Sequence, residues 1–376
     1  MSQKRNKHIL CNNQTVVFAA ICFLALAALS SAAFAQVQNS ETAQTSPTTW
    51  TVLVGGEAAI SPQEYGPSGA WQFMRFYPEN ITINVGDQIV WKLKGSEPHT
   101  VTFPVPGEKS PDLIIPENNT SQRLLFNPLA ILPMGGSTYN GTTLTGSGQL
   151  DVQPNFPREY NLTFTKAGDF EYFCAFHSMM KGRVKVQPAG TSYPKTQEQI
   201  DLETGGLLAA DMEAALKATL QLGNVSARPG LNGTTIHEIN LGYGNGSIVL
   251  MRFFPIDLTI NEGDTVEWTR GDVETPHTVS FLSGGEEPEY VIVEPQQRGP
   301  PKFVLNPIVQ MPAGGKVYNG TGYFNSGVIW GTMLPLPGPQ NYSLTFDTPG
   351  NYKYICIFHD YMGMNGRISV LPKVSS

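Results

Sequence analysis

Two short segments of this sequence hold a cysteine, a histidine and methionines within reach of one metal ion. Cys174, His177, Met179 and Met180 lie in Glu171-Tyr172-Phe173-Cys174-Ala175-Phe176-His177-Ser178-Met179-Met180. Cys356, His359, Met362 and Met364 form a similar run near the C-terminus. Each run has a histidine far upstream, His99 after Pro98 and His277 after Pro276. Two imidazoles, one thiolate and a weak thioether are the donor set of a type 1, or blue, copper site. Thiolate and thioether favour Cu(I), imidazole accepts both oxidation states, and a rigid trigonal arrangement limits reorganisation when an electron moves. Zinc would require four strong ligands, and methionine is a poor fourth. A strand ending in Cys and followed by a tight loop would turn Cys, His and Met toward one point. The upstream histidine would close the site from a neighbouring strand.

Histidine is scarce, at six in the chain. One is His8, near the N-terminus, and four belong to the two donor sets. The remaining one, His237, lies in an alternating stretch aligned near Trp50 and is expected to be a surface strand residue without a metal role.

The donors recur because the chain does. Met74-Arg75-Phe76-Tyr77-Pro78 returns as Met251-Arg252-Phe253-Phe254-Pro255, and Thr82-Ile83-Asn84-Val85-Gly86-Asp87 as Thr259-Ile260-Asn261-Glu262-Gly263-Asp264. Trp91 and Trp268 follow at the same offset. Pro98-His99-Thr100-Val101 returns as Pro276-His277-Thr278-Val279, and Asn127-Pro128 through Thr142 as Asn306-Pro307 through Thr321. Each copy alternates apolar and polar residues, as in Ile81-Thr82-Ile83-Asn84-Val85 and Asn161-Leu162-Thr163-Phe164, which is the period of half-buried strands. Gly 38 and Pro 29 among 376 residues fit short strands joined by many turns. The expected fold is all-β: two tandem antiparallel Greek-key sandwiches over 47–188 and 226–373. The connector, 189–225, is expected to carry a helix. Leu207, Leu208, Met212, Ala215, Leu216 and Leu220 fall near helical spacing and are expected to pack against one or both sandwiches.

With these motifs the chain resembles the cupredoxins, the plastocyanin, amicyanin and azurin family of blue copper proteins. The resemblance covers nearly all of both copies. It implies copper, two ions per chain cycling between Cu(I) and Cu(II), held by His99, Cys174, His177 and Met180 and by His277, Cys356, His359 and Met364. Cys-x-x-His-x-x-Met in the first copy looks like the short amicyanin loop, and Cys356-x-x-His359-x4-Met364 like the plastocyanin loop. Met362 is the alternative axial ligand in the second copy. Met364 is preferred because aligning Gly182-Arg183 with Gly366-Arg367 sets it opposite Met180. Two departures from the family pattern stand out: Phe176 and Phe358 replace the usual proline between Cys and His, and Ile355 replaces the aromatic Phe173 before the cysteine. The His-to-Cys separations also exceed those of a minimal cupredoxin. The extra length includes Asn127–Thr142 and Asn306–Thr321, which are expected to be long loops over each sandwich.

Residues 1–35 read as a secretory signal. Lys4, Arg5, Lys7 and His8 form a basic head, Val16 to Leu29 an apolar core, and Ala33-Phe34-Ala35 a cleavage site. Cleavage would leave no membrane span. It would also remove Cys11 and Cys22, so that Cys174 and Cys356 are the only mature thiols. The net charge of −7 argues against nucleic acid as a partner. Loss of the basic head makes the mature chain more acidic still. Ten Asn-x-Ser/Thr acceptors beyond the signal, at Asn80, Asn118, Asn119, Asn140, Asn161, Asn224, Asn232, Asn245, Asn319 and Asn341, suit an N-glycosylated surface.

The expected function is electron transfer with redox partner proteins, on the extracellular or periplasmic side of the cytoplasmic membrane. The alternatives are a copper nitrite reductase or multicopper-oxidase-like enzyme and a glycosylated cell-surface copper-binding protein. The enzymes need further histidines, usually His-x-His pairs. This chain has no such pair, so the sequence is not read as an enzyme and no catalytic residues are assigned.

Overall fold

A computed structural model describes residues 46–59, 70–118, 122–221, 226–334 and 336–373. The secretory signal, and the acceptors at Asn119 and Asn224, lie outside the described residues.

Each copy folds as two facing sheets. In the first, one five-stranded sheet runs Thr138–Tyr139, Glu159–Phe164, Gln88–Leu93, Thr49–Val54, Phe76–Tyr77. The facing sheet runs Thr145–Gly146, Thr102–Phe103, Gly168–Phe173, Lys181–Gln187, Asn80–Asn84. Alternation along each strand sends Trp50, Val52 and Val54, or Ile81 and Ile83, into one core between the sheets. Trp91 lies against Phe103 and Tyr172 there, with ring centroids 5.8 and 5.5 Å apart. Trp268 repeats the cluster against Phe281 and Tyr354 at 5.9 and 5.4 Å. The all-β, two-domain fold expected from the alternation is what forms. The sheets are mixed in direction, however: Thr49–Val54 pairs parallel to Gln88–Leu93, and Asn80–Asn84 parallel to Lys181–Gln187. Between its two strands in the first sheet the chain lays Asn80–Asn84 in the facing sheet. It therefore returns by a crossover rather than a hairpin, and a crossover gives parallel pairing.

The halves share two sheets. The first-copy hairpin Glu57–Ala59/Ala70–Phe73 extends a sheet of the second copy by pairing antiparallel with Ile248–Phe254. A separate four-stranded sheet joins Ile114–Pro116 and Leu124–Phe126 to Lys302–Leu305 and Val291–Glu294. In the register Gln72 faces Val249 and Leu125 faces Val304. Each of these residues is the repeat counterpart of the one it faces, so the halves meet about a pseudo-two-fold axis. Reciprocal ion pairs obey the same relation: Arg123 with Glu294, and Lys302 with Glu117 at 2.7 Å.

The segments Asn127–Thr142 and Asn306–Thr321, expected to be long loops, each hold a short helix and a two-residue strand, Thr138–Tyr139 or Val317–Tyr318, that pairs into a sandwich sheet. Asn127 and Asn306 each cap a short helix, Pro128–Ile131 and Pro307–Gln310, by accepting the backbone N–H two residues on. The hairpins just before those caps leave their own sandwich and pair with the other half.

The connector holds a helix, Gln197–Gln221. Its packed face differs from the expected leucine stripe. Ile200, Thr204, Asp211 and Ala215 are buried, while Met212, Leu216 and Leu220 are 50%, 60% and 78% exposed. Polar anchors set this rotation. Asp211 accepts the Tyr77 hydroxyl and pairs with Arg75, Thr219 accepts Trp71 Nε1–H at 2.8 Å, and Gln197 accepts the Thr51 N–H at 2.9 Å. A buried carboxylate left unpaired costs more than a few exposed methylenes, so the helix turns Asp211 inward.

Candidate metal centres

His99 lies just before the strand Thr102–Phe103, bridged to Leu150 by N–H to O bonds of 3.0 and 2.8 Å in both directions. Cys174 follows the strand Gly168–Phe173 directly. The chain then loops back, and the Cys174 N–H donates to Met180 O at 2.9 Å. That loop sets His177 Nδ1 3.5 Å from Cys174 Sγ and 3.1 Å from His99 Nδ1. His99 Nδ1 lies 3.7 Å from the sulfur. In the second copy, Cys356 Sγ lies 3.4 Å from His359 Nδ1 and 3.8 Å from His277 Nδ1, and the Cys356 N–H donates to Met364 O at 3.0 Å. Met364 thus occupies the backbone position that Met180 holds in the first loop. Met362 lies inside the short helical turn Asp360–Met362, and Met179 is 48% exposed. All six nitrogen and sulfur ligand residues, with Met180 and Met364, are buried.

In each site two buried imidazoles and one cysteine sulfur bring their ligand atoms within 4.8 Å of one another, and in the first the two Nδ1 atoms are 3.1 Å apart. A soft cation satisfies all three donors at once, and sulfur with two imidazoles suits copper. The residues therefore fit the ion. Each loop is pinned by a threonine. The Thr100 N–H donates to Cys174 Sγ at 3.3 Å, and Thr100 Oγ1 accepts the Ala175 N–H at 2.7 Å. Thr278 does the same for Cys356 and Ile357 at 3.4 and 2.9 Å. These threonines were not singled out as site residues, although the repeat of Pro-His-Thr-Val carries them.

The outer nitrogens of the imidazoles are treated differently in the two sites. His177 Nε2 meets buried Glu97 at 3.3 Å, whereas His277 Nε2 meets buried Asp272 at 2.8 Å. Burial opposes a charge on His177, but the Cys174 sulfur and Glu97 raise its affinity for protons. Burial likewise opposes His277, and Asp272 overrides it. His99 is held well below the usual range by burial and by the charge of His177. Burial raises the Cys356 thiol, and the two imidazoles beside it outweigh this and hold it well below the ordinary value. A carboxylate behind a ligating imidazole fixes its tautomer and strengthens it as a donor. Asp272→Asn is accordingly expected to weaken copper affinity of the second site by about 10–100-fold and to leave the first unchanged, as measured by competition with a copper chelator. Close approach makes glycine necessary behind each upstream ring. Gly55 and Gly242 have φ of +68° and +64°, and a Cβ there would collide with His99 or with Asp272 and His277.

His237 lies in the strand Thr235–Gly244, remote from both donor sets, and is half-buried rather than a surface residue. Its Nε2 meets Asp264 at 3.2 Å, as Trp50 Nε1 donates to Asp87 at 3.0 Å in the first copy. The histidine belongs to the carboxylate that ties its strand to the turn after Asn261. His237→Ala is expected to leave the visible spectrum unaltered while lowering the melting temperature.

A family model for copper binding proteins of the plastocyanin/azurin family matches residues 67–187 and 238–371. A plastocyanin from Scenedesmus fuscus is 29% identical over 132 residues, covering 35% of this chain and 96% of the relative. Among solved structures, amicyanin from Paracoccus versutus is 18% identical, covering 37% of this chain and 81% of its own, with a TM-score of 0.20. A reduced proline-to-phenylalanine mutant of amicyanin gives 19% identity, 37% and 82% coverage and a TM-score of 0.20. With both halves matched by the family model and a histidine–cysteine–histidine set in each, the chain belongs to the copper-binding plastocyanin/azurin family.

Proposed function

We propose that this is an exported electron carrier with one type 1 copper ion in each half, held by His99, Cys174, His177 and Met180 and by His277, Cys356, His359 and Met364. The doubled convergence of two Nδ1 atoms and one Sγ carries this reading. Bound copper would supply a one-electron Cu(I)/Cu(II) couple. The chain's own part is to keep the donors still: the strand before each cysteine, the threonine N–H on each sulfur and the carboxylates behind His177 and His277 hold them in place with no exposed ligand position. Its partners would be redox proteins that give and take single electrons. An enzymatic reading would require a further metal centre. Among the described residues, the clusters of three or more potential ligands are the two already given.

Export is supported by the basic-apolar leader and by the acceptor asparagines. All eight within the described residues, Asn80, Asn118, Asn140, Asn161, Asn232, Asn245, Asn319 and Asn341, are exposed. No helix among the described residues is long and apolar enough to cross a membrane. Metal analysis with optical and electron paramagnetic resonance spectra tests the proposal. Two coppers per chain with intense thiolate-to-copper absorption are expected. One copper, or zinc retained in both sites of copper-grown protein, would refute it.

A further inference from the structure

The pseudo-two-fold axis brings the two metal loops together. Ser178 Oγ and the Met179 N–H both donate to Glu274 Oε1, at 2.9 and 3.1 Å. Across the axis the Tyr361 hydroxyl reaches Ser96 O at 3.4 Å. Met179 and Tyr361 are loop counterparts, and so are Glu274 and Ser96. Between the loops lies one apolar cavity of about 70 Å3, lined by His177 and His359 together with Phe176, Phe358, Tyr290 and Trp330. The imidazole edge of each site therefore faces the other half.

On the cysteine side the symmetry fails. Phe173, Cys174 and Ala175 line an open groove of about 430 Å3 together with Lys109, Asp112 and Leu336. Ala175 and Phe176 are only half-buried. Their counterparts Ile357 and Phe358 are buried, at 3% and 9% exposure, and Cys356 is wholly buried. Ile357 is a larger plug than Ala175, and Phe358 is held edge-on by Tyr290, with ring centroids 5.4 Å apart.

We infer that the first-domain site is the molecule's port, and that the second-domain site exchanges electrons with outside partners only through it, across the cavity shared by His177 and His359. This rests on the two-copper carrier reading. The groove takes a one-electron redox partner, because the cysteine of the first donor set and its chain neighbours Phe173 and Ala175 line it. One electron passes per encounter: the partner is oxidised by one unit as the first site is reduced, and the same electron then moves inward.

Two measurements test the inference. In the metal-free full-length protein, iodoacetamide should alkylate Cys174 at least about tenfold faster than Cys356, read by peptide mass spectrometry; equal rates or the reverse order would overturn it. In the copper-loaded protein, hexaammineruthenium(II) is the reductant, each molecule giving up one electron as it becomes ruthenium(III). Cys174→Ser should slow reduction of the second site at least about tenfold, whereas Cys356→Ser should leave the first within about twofold. Reduction of the second site at the wild-type rate in Cys174→Ser would overturn the inference. If Cys174→Ser fails to fold, Asp112→Trp, which fills the groove from its exposed rim, replaces it. That change should slow both sites in parallel, and an unchanged rate at the second site would be equally fatal. Absence of two copper sites would instead defeat the carrier reading itself.

Discussion

Cys174→Ser is expected to abolish the first copper site completely and leave the second at full strength, and Cys356→Ser to do the reverse. The sulfur and both Nδ1 atoms of each site come from one half. Serine keeps the small side chain but removes the thiolate that, on the proposed reading, would give the site its charge-transfer band and its affinity for Cu(I). Copper per chain should fall from two to one in each variant, with one of two visible and paramagnetic signatures lost. Unchanged far-ultraviolet circular dichroism would show that the fold survives. Loss of both signatures from either single change would mean that the halves share ligands.

The second large effect concerns the clasp between the halves. Val304 is fully buried where Lys302–Leu305 pairs with Leu124–Phe126. An aspartate there would be an unpaired charge in an apolar sheet, at a cost of several kilocalories per mole. Because two sheets are continuous across the axis, the wild-type metal-free protein should unfold in a single calorimetric transition. Val304→Asp should split that transition into two, the lower one falling by many degrees. A single transition at the wild-type temperature would show that the four-stranded sheet contributes little to the union of the halves.

The convergence of His99 with Cys174 and His177, and of His277 with Cys356 and His359, was legible in the sequence because a metal site compresses its chemistry into spacing. Cys174 to Met180 is one loop, and its recurrence as Cys356 to Met364 removes coincidence. Strand alternation in Ile81–Val85 and Asn161–Phe164 was legible for a similar reason, since a local period records a local geometry. What could not be read is pairing between distant edges. Nothing in Trp71-Gln72-Phe73 announces that its partner is Ile248-Val249-Leu250 of the other half rather than a strand of its own. The helix face was misread because the leucines give a stronger hydropathy signal than Asp211, Thr219 and Gln197. Those three residues decide the rotation through hydrogen bonds that only the tertiary fold supplies. Glu97 and Asp272 escaped notice because each sits close to a Pro-His motif in only one copy, so the repeat gave no second instance to point at them.

The self-facing pairs at Gln72–Val249 and Leu125–Val304 describe an interface of the kind that joins identical subunits. In such a dimer every substitution is inherited twice, and two unlike centres are impossible. Fusion of the copies lifts that restriction while keeping the same union. One glutamate can sit behind His177 while Thr275 stands at the matching position, and a buried isoleucine can follow Cys356 while a half-buried alanine beside Cys174 lines a groove. A chain built this way has a front and a back, and natural selection can work on each of them separately.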